Sequence, residues 1–211
     1  ADGKGLTRPE LAVLLSNAKL VLQAAIEASD LATDKAIVPL LLGDFPPAMR
    51  EAFRDEILHH RLRKEIVATV VANAVVNRMG LVHPFELAEE EGASLAQVGG
   101  AFVAATRLLG LDALWDAIDG AQMPEAARLM LFEQAALALR GHMADLLRSS
   151  GPLLHPSQFA SETSGGVAEL VDRVDDLLAA EARGHAGAIA DALSAAGAPA
   201  ALAGEVAKLF A

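Results

Sequence analysis

The chain has 211 residues, of which 53% are hydrophobic, 4% aromatic and 21% charged, and none is cysteine. The apolar content is ample for a core and excludes a disordered chain, while the lack of cysteine excludes disulfides, zinc fingers and iron–sulfur sites. A net charge of −11 argues against partners such as nucleic acid or an anionic membrane surface. Abundant alanine and leucine, with few aromatic or β-branched residues, predict an all-α fold without a sheet.

The first predicted helix begins at Thr7. The segment Thr7-Arg8-Pro9-Glu10 combines a capping threonine, a proline in the first turn and a glutamate three residues after the cap. Apolar residues then recur every three or four positions and predict one stripe of an amphipathic helix, formed by Leu11, Leu14, Ala18, Leu22 and Ile26. A short apolar helix is predicted next, at residues 37–42, with Pro39 in its first turn.

A long helical region is predicted from Pro47 to Met79, divided near Leu58. Its second half is apolar on every side and predicts a central, buried helix that ends at Gly80. Two asparagines interrupt this half one turn apart, so their amides share a face, and a buried amide needs a hydrogen-bond partner. Three interpretations stay open for Asn73, Asn77 and Arg78: they satisfy neighbouring helix ends, they anchor a partner domain, or, behind these two, they bind a ligand.

Four further helices are predicted between residues 85 and 148, with glycines at 92, 110 and 120 marking ends. The second of the four begins at Ser94, which with Gln97 repeats the capping-box pattern. The last of them starts at Pro124, and its predicted stripe consists of Leu129, Phe132, Ala136, Leu139, Met143 and Leu146.

Serine, glycine and proline are concentrated in residues 149–166, which predicts a linker. The linker would separate a helical domain, residues 1–148, from further helices in residues 167–211. The apolar face of this last part is thin, so we expect it to dock weakly or to continue into chain beyond residue 211. The predicted architecture is an array of about eight to ten helices.

Two weak candidates for a metal site each have a simpler interpretation. Glu56 and His59 lie one helical turn apart, but a di-iron bundle needs a second E-x-x-H pair. Asp172, Asp175 and Asp176 would hold Mg²⁺ only if another aspartate-rich helix faced them. A solvated charged face explains both groups, and the sequence has no glycine-rich phosphate loop. We predict no catalytic, cofactor-binding or metal-binding residue here.

Several blocks of sequence resemble a known family in the order in which they occur. They are Gly5-Leu6-Thr7-Arg8-Pro9-Glu10-Leu11-Ala12-Val13-Leu14-Leu15, then Asp44-Phe45-Pro46-Pro47, and most specifically the run from His60 to Asn73 with Val76-Asn77-Arg78 after it. Residues 3–148 resemble the helical C-terminal region of the large NAD-specific glutamate dehydrogenases of bacteria, and the remainder resembles it loosely.

Because the sequence has no cysteine, no basic-then-apolar leader and no uninterrupted apolar run of about 18 residues, we expect a cytoplasmic protein. The resemblance implies a parent enzyme that oxidatively deaminates L-glutamate to 2-oxoglutarate and ammonium with NAD as cofactor. None of the family's catalytic motifs is present, so the resemblance implies a non-catalytic domain. Its expected partners are the catalytic region of the same polypeptide and other copies in a homo-oligomer. Structural or interdomain contacts are expected at Arg61, Asn73, Asn77 and Arg78. The alternative is a free-standing helical module for protein–protein interaction.

Overall fold

The computed structural model describes residues 5–150, 155–159, 161–163, 165–166, 173 and 179–210. Every regular element in these residues is helical, which confirms the predicted all-α class. Short 3₁₀ turns at Leu31–Thr33 and Lys35–Ile37 join the first two α-helices. The α-helices with bounds in the described residues are α1 Arg8–Glu27, α2 Val38–Gly43, α3 Pro47–Ala52, α4 Arg54–Leu58, α5 Arg63–Met79, α6 His83–Glu90, α7 Leu95–Leu108, α8 Leu111–Gly120, α9 Glu125–Ser150, α10 Ala180–Ala195 and α11 Ala200–Lys208.

Helices α5 and α7 form the centre of the core, and α1 and α9 pack on them. On α7 all nine residues from Val98 to Thr106 are buried, and α5 buries seven of its residues, as its all-round apolar sequence predicts. Gly99 lets α7 approach α1 closely, because a Cβ atom there would lie 3.2 Å from Ile26 Cγ1. The small residue therefore sets the distance between these two helices.

Helix ends are fixed largely by local hydrogen bonds. Glu10 accepts hydrogen bonds from the Thr7 backbone N–H at 2.7 Å and from the Thr7 hydroxyl at 2.6 Å. Ser94 and Gln97 form both halves of the predicted capping box, with distances of 3.2 and 2.7 Å. Gly110 adopts a φ of 63°, a left-handed conformation that glycine reaches without strain, and this turn directs the chain into α8.

Several element bounds differ from the prediction. The region from Pro47 to Met79 contains three helices, because the chain leaves helical geometry at Phe53 as well as after Leu58. Helix α6 begins at His83, two residues earlier than predicted, with Pro84 in its first turn. Leu129 is 61% exposed, so its predicted place in the buried stripe of α9 is wrong. The α9 core positions instead include Leu131, Ala135, Leu139 and Met143.

The C-terminal helices α10 and α11 pack on each other and on α9, and α11 also contacts α8. Leu193, Leu202 and Val206 join the same hydrophobic cluster as the core of α5 and α7. In the predicted linker, the described residues 156–159, 161–163 and 165–166 are helical, and Ser157 donates hydrogen bonds to the Asp34 carboxylate at 3.0 to 3.2 Å. The division of the chain at residues 149–166 stays a prediction.

Helix α1 differs from the other single helices described, because it alone is long and apolar enough to cross a membrane. The bent pairs α5–α6 and α7–α8 meet the same criteria of length and composition when each is taken together. Glu10 and Lys19 lie inside α1, so its apolar residues do not form one uninterrupted run. Only 17% of its most apolar window is buried.

Candidate functional site

The structure brings two of the four predicted contact residues together and leaves the others apart. Asn77 and Arg78 lie in the last turn of α5 and line one cavity. Asn73 is half-buried one turn earlier, and Arg61 is exposed in the turn before α5. Because α5 rises about 1.5 Å per residue, Arg61 lies beyond the opposite end of the helix, roughly 20 Å away.

Asn77 connects α5 with α1. Its Oδ1 accepts a hydrogen bond from Lys19 Nζ at 3.0 Å. At the other end of α5, Arg63 Nε donates to the carbonyl oxygen of Ala32 at 3.0 Å, just after α1 ends. The two helices are therefore antiparallel. The Asn77 amide binds the Lys19 side chain of the neighbouring helix α1, and not a backbone group at a helix end.

Arg78 is held by two aromatic rings and one carboxylate. Its guanidinium carbon lies 4.8 Å from the centroid of Trp115 and 5.4 Å from that of Phe132, within the range of cation–π attraction. Its Nη2 lies 3.5 Å from Asp119 Oδ2. Trp115 in turn stacks on Phe102, with centroids 6.1 Å apart and planes inclined by 12°. These contacts orient Arg78 across α5, α8 and α9.

The cavity beside Arg78 has a volume of about 590 Å³ and lies where α2, α5, α7 and α8 meet. Pro39, Leu40, Phe102 and Trp115 form much of its apolar wall. Its polar lining consists of Asn77, Arg78, Thr106, Arg107 and Asp112. We refer to this space as the α5–α7–α8 cavity.

Thr106 is the one polar residue in the buried core of the described chain, with 7% of its surface exposed. Its hydroxyl oxygen is buried and has no hydrogen-bond partner among the described residues. A buried polar group without a partner costs about 1–3 kcal/mol of stability. The unpaired Thr106 hydroxyl therefore lowers the stability of the domain.

Asp112 lies in the first turn of α8 and lines the same cavity. Burial, together with repulsion from Asp116, raises the pKa of the Asp112 carboxyl above its ordinary value of 3.8. The cavity is thus lined by two guanidinium groups and one carboxylate. Attraction to Arg78 offsets only part of the rise that burial and Asp116 cause in the pKa of this carboxyl.

A second feature is a surface of large apolar side chains on the N-terminal half of α1. Three of them, Leu11, Leu14 and Leu15, continue the stripe of Ala18, Leu22 and Ile26, but α5 ends at Met79 and does not reach them. The other two lie just before the helix and on another side of it. Each is between 39% and 59% exposed. We call this the α1 apolar surface, and it consists of Leu6, Leu11, Val13, Leu14 and Leu15.

Of the two metal candidates, the structure describes only the pair of Glu56 and His59, and this pair gains no further ligand from the fold. Glu56 and His59 are both exposed, and His59 Nδ1 is 2.8 Å from the carbonyl oxygen of Asp55. Within the described ranges, no group of three or more histidine, aspartate or glutamate residues is placed to hold a metal ion. Asp172, Asp175 and Asp176 lie outside the described residues.

Comparison with known proteins identifies the family. The family model described as "Glutamate dehydrogenase, C-terminal" matches residues 3–211. The chain belongs to this family. The match covers nearly the whole sequence, so it includes the part in which the resemblance was loose, and it confirms the family that the sequence blocks indicate.

Three relatives are named NAD-specific glutamate dehydrogenase. The protein of Halomonas elongata is 42% identical over 116 residues, which is 55% of this chain and 7% of that protein. For Mycobacterium tuberculosis the identity is 36% over 124 residues, 59% of this chain and 8% of the relative. For Pseudomonas aeruginosa it is 32% over 178 residues, 83% of this chain and 11% of the relative. The chain therefore spans only a small part of these proteins.

Sequence reasoning found Asn77 and Arg78 but missed the rest of the cavity. Arg107 and Asp112 look like ordinary surface charges in the sequence, and Trp115 looks like a core residue of its helix. For the part of the cavity that was missed, the sequence offers one signal: Thr106 places a hydroxyl group at the end of the apolar run that begins at Val98.

Proposed function

We propose that this chain is a non-catalytic helical domain that packs against the catalytic region of its own polypeptide. The whole protein, on this proposal, is an NAD-dependent glutamate dehydrogenase that oxidatively deaminates L-glutamate in the cytoplasm. The domain contributes no catalytic or NAD-binding residue and supports assembly of the homo-oligomer. Family membership and the names of the relatives support this proposal.

The observation that carries the proposal is the α1 apolar surface. Burying one leucine side chain fully contributes about 1.5–3 kcal/mol to stability. Covering these five partly exposed apolar side chains with a partner would therefore contribute substantially to the free energy of binding. Contiguous exposed apolar surface marks interaction sites. The relatives extend far beyond the matched region, which provides a protein partner on the same chain.

A protein partner fits α1 better than a membrane does. The C-terminal half of the helix is already packed on α5, with Leu22 and Ile26 fully buried. Lys19 is fixed to Asn77 at the middle of the helix, and Glu10 caps the N-terminus. Crossing a bilayer would remove both packed residues from the core and place both charges in hydrocarbon.

The proposal is tested in the full-length parent enzyme with the double variant Leu11→Glu/Leu14→Glu. We expect it to lose its oligomeric state by light scattering, because two charges are placed in the buried contact. Leu129→Glu on α9 is the matched control and should assemble normally. Urea denaturation of the 211-residue chain should show equal stability for all three proteins.

Three results would refute the proposed packing. The double variant could form a normal oligomer with normal glutamate and NAD kinetics. The domain, expressed alone, could show glutamate dehydrogenase activity above background. The wild-type chain could bind phosphatidylcholine vesicles through α1, which would favour a membrane contact instead.

A further inference from the structure

We propose that the α5–α7–α8 cavity binds a small organic anion, a carboxylate or a phosphate that carries a flat or apolar body. This site is separate from the α1 apolar surface and does not depend on the function proposed above. Its anion-binding groups are Arg107, Arg78 and Thr106, and its apolar wall includes Trp115.

The size and wall of the cavity suit a small molecule. Its volume of about 590 Å³ lies within the range of about 300–1,000 Å³ that is common for ligand sites. Leu40, Phe102 and Trp115 offer apolar contact, and the Phe102–Trp115 pair is held flat by stacking. An aromatic ring or another apolar group of the ligand would pack against this pair.

The charge of the lining favours an anion. Two arginines and one aspartate give the lining a net positive charge, although the whole protein carries −11. Other arginines of this fold are used to bind backbone carbonyl groups: Arg50 binds that of Phe45, and Arg63 that of Ala32. Within the described chain, Arg107 is exposed and forms no such bond or ion pair, so its guanidinium is available to a ligand.

Thr106 provides the independent observation. Three other threonines satisfy their hydroxyls on nearby carbonyl groups: Thr33 on Asp30, Thr69 on Glu65 and Thr163 on Phe159, all at 2.7 to 2.8 Å. The Thr106 hydroxyl makes no such bond in the described structure, although it is more deeply buried. Rotation of the Thr106 side chain toward the cavity that it lines would let an oxygen of a bound anion supply the missing acceptor.

Trp115 allows binding to be measured directly, since it is the one tryptophan of the sequence and lies in the wall of the cavity. We would titrate the 211-residue chain with benzoate and with phenyl phosphate and follow tryptophan fluorescence. Both probes should give saturable changes, and the tighter of the two identifies the acidic group as carboxylate or phosphate. Benzyl alcohol, which has the ring without the charge, should bind at least about fivefold more weakly.

Substitutions assign the binding to this cavity. Thr106→Val keeps the side-chain shape and should weaken binding about fivefold without lowering the stability of the ligand-free chain. Arg107→Gln should weaken it by a similar factor, about fivefold. Asp112→Asn should tighten it, because a negative charge is removed beside the anion. Thr69→Val, at an exposed position of α5 outside the cavity lining, and Arg54→Gln on α4 are matched controls and should bind as the wild type does.

Any of three results would overturn the proposal. The first is a fluorescence change that neither anion saturates below about 10 mM, which corresponds to a negligible affinity. Benzyl alcohol could bind as tightly as the two anions. Thr106→Val and Arg107→Gln could both bind like the wild type while circular dichroism shows that they are folded.

Discussion

The N-terminal half of α1 and the middle of α7 each carry a run of apolar residues, and the two runs lie in opposite environments. On α7 the residues from Val98 to Thr106 are buried without exception. On α1, Leu11, Leu14 and Leu15 are exposed, although they continue the stripe that Leu22 and Ile26 bury. Hydrophobic periodicity therefore predicts that a helix needs a partner, and it does not say whether the partner lies in the same domain.

The largest expected effect compares two leucines at opposite ends of α1. Leu22 is fully buried and Leu14 is 43% exposed. Leu22→Ala should lower the free energy of unfolding by about 2–5 kcal/mol, because it leaves a cavity against α5. Leu14→Ala should change it by less than about 0.5 kcal/mol. Urea denaturation of the 211-residue chain measures both, and equal losses would show that α1 is covered along its whole length.

A pair of glycines tests how tightly α7 packs on α1. A Cβ atom at Gly99 would lie 3.2 Å from Cγ1 and Cδ1 of the fully buried Ile26, whereas nothing lies within 4 Å of one at Gly141. Gly99→Ala should destabilise the chain by about 1–3 kcal/mol through overpacking. Gly141→Ala on α9 should stabilise it by about 0.5–1 kcal/mol through helix propensity. A stabilising Gly99→Ala would contradict the close approach of the two helices.

Two carboxylates should give opposite pH dependences of stability. Hydrogen bonds from Arg148 at 3.0 to 3.1 Å hold the pKa of Glu91 below 4.5, so Glu91 stabilises the fold above that value and the gain is lost as pH falls through its folded pKa. Burial raises the pKa of Asp112 above 3.8. Its ionisation therefore destabilises the fold as pH rises from 3.8 through the higher pKa of the folded state.

The substitutions Glu91→Gln and Asp112→Asn should accordingly differ in sign. At neutral pH the first should lower the urea midpoint and the second should raise it. Both differences from the wild type should shrink as pH falls through the pKa values of the two carboxyls, because both groups then become protonated in the folded and the unfolded chain. Midpoints that shift in the same direction at neutral pH would contradict the assigned environments.

Local signals made much of the fold predictable. The capping groups at Thr7 and Ser94 and the glycines at positions 80 and 110 marked helix ends that the structure confirms. The break at Phe53 carried no such signal, because it lacks glycine and proline and depends on how α3 and α4 pack. The error at Leu129 has a similar origin, since an alanine-rich helix has several faces that can be buried and tertiary packing selects one.

The site was predictable only where the sequence itself was irregular. Asn77 and Arg78 interrupt an apolar helix, so their polarity was visible before their surroundings were known. Arg107, Asp112 and Trp115 come from two other helices, and only tertiary structure brings them to the end of α5. In the same way, the apolar stripe in the sequence of α1 could not show which part of that helix α5 buries.

The central claim is that the rest of the parent polypeptide covers the exposed half of α1. Hydrogen–deuterium exchange of residues 8–16, compared between the 211-residue chain and the full-length enzyme, tests it most directly. We predict that these amides exchange at least about tenfold more slowly in the full-length enzyme, while residues 98–106 of α7 are equally protected in both. Equal exchange of residues 8–16 in the two proteins would contradict the claim.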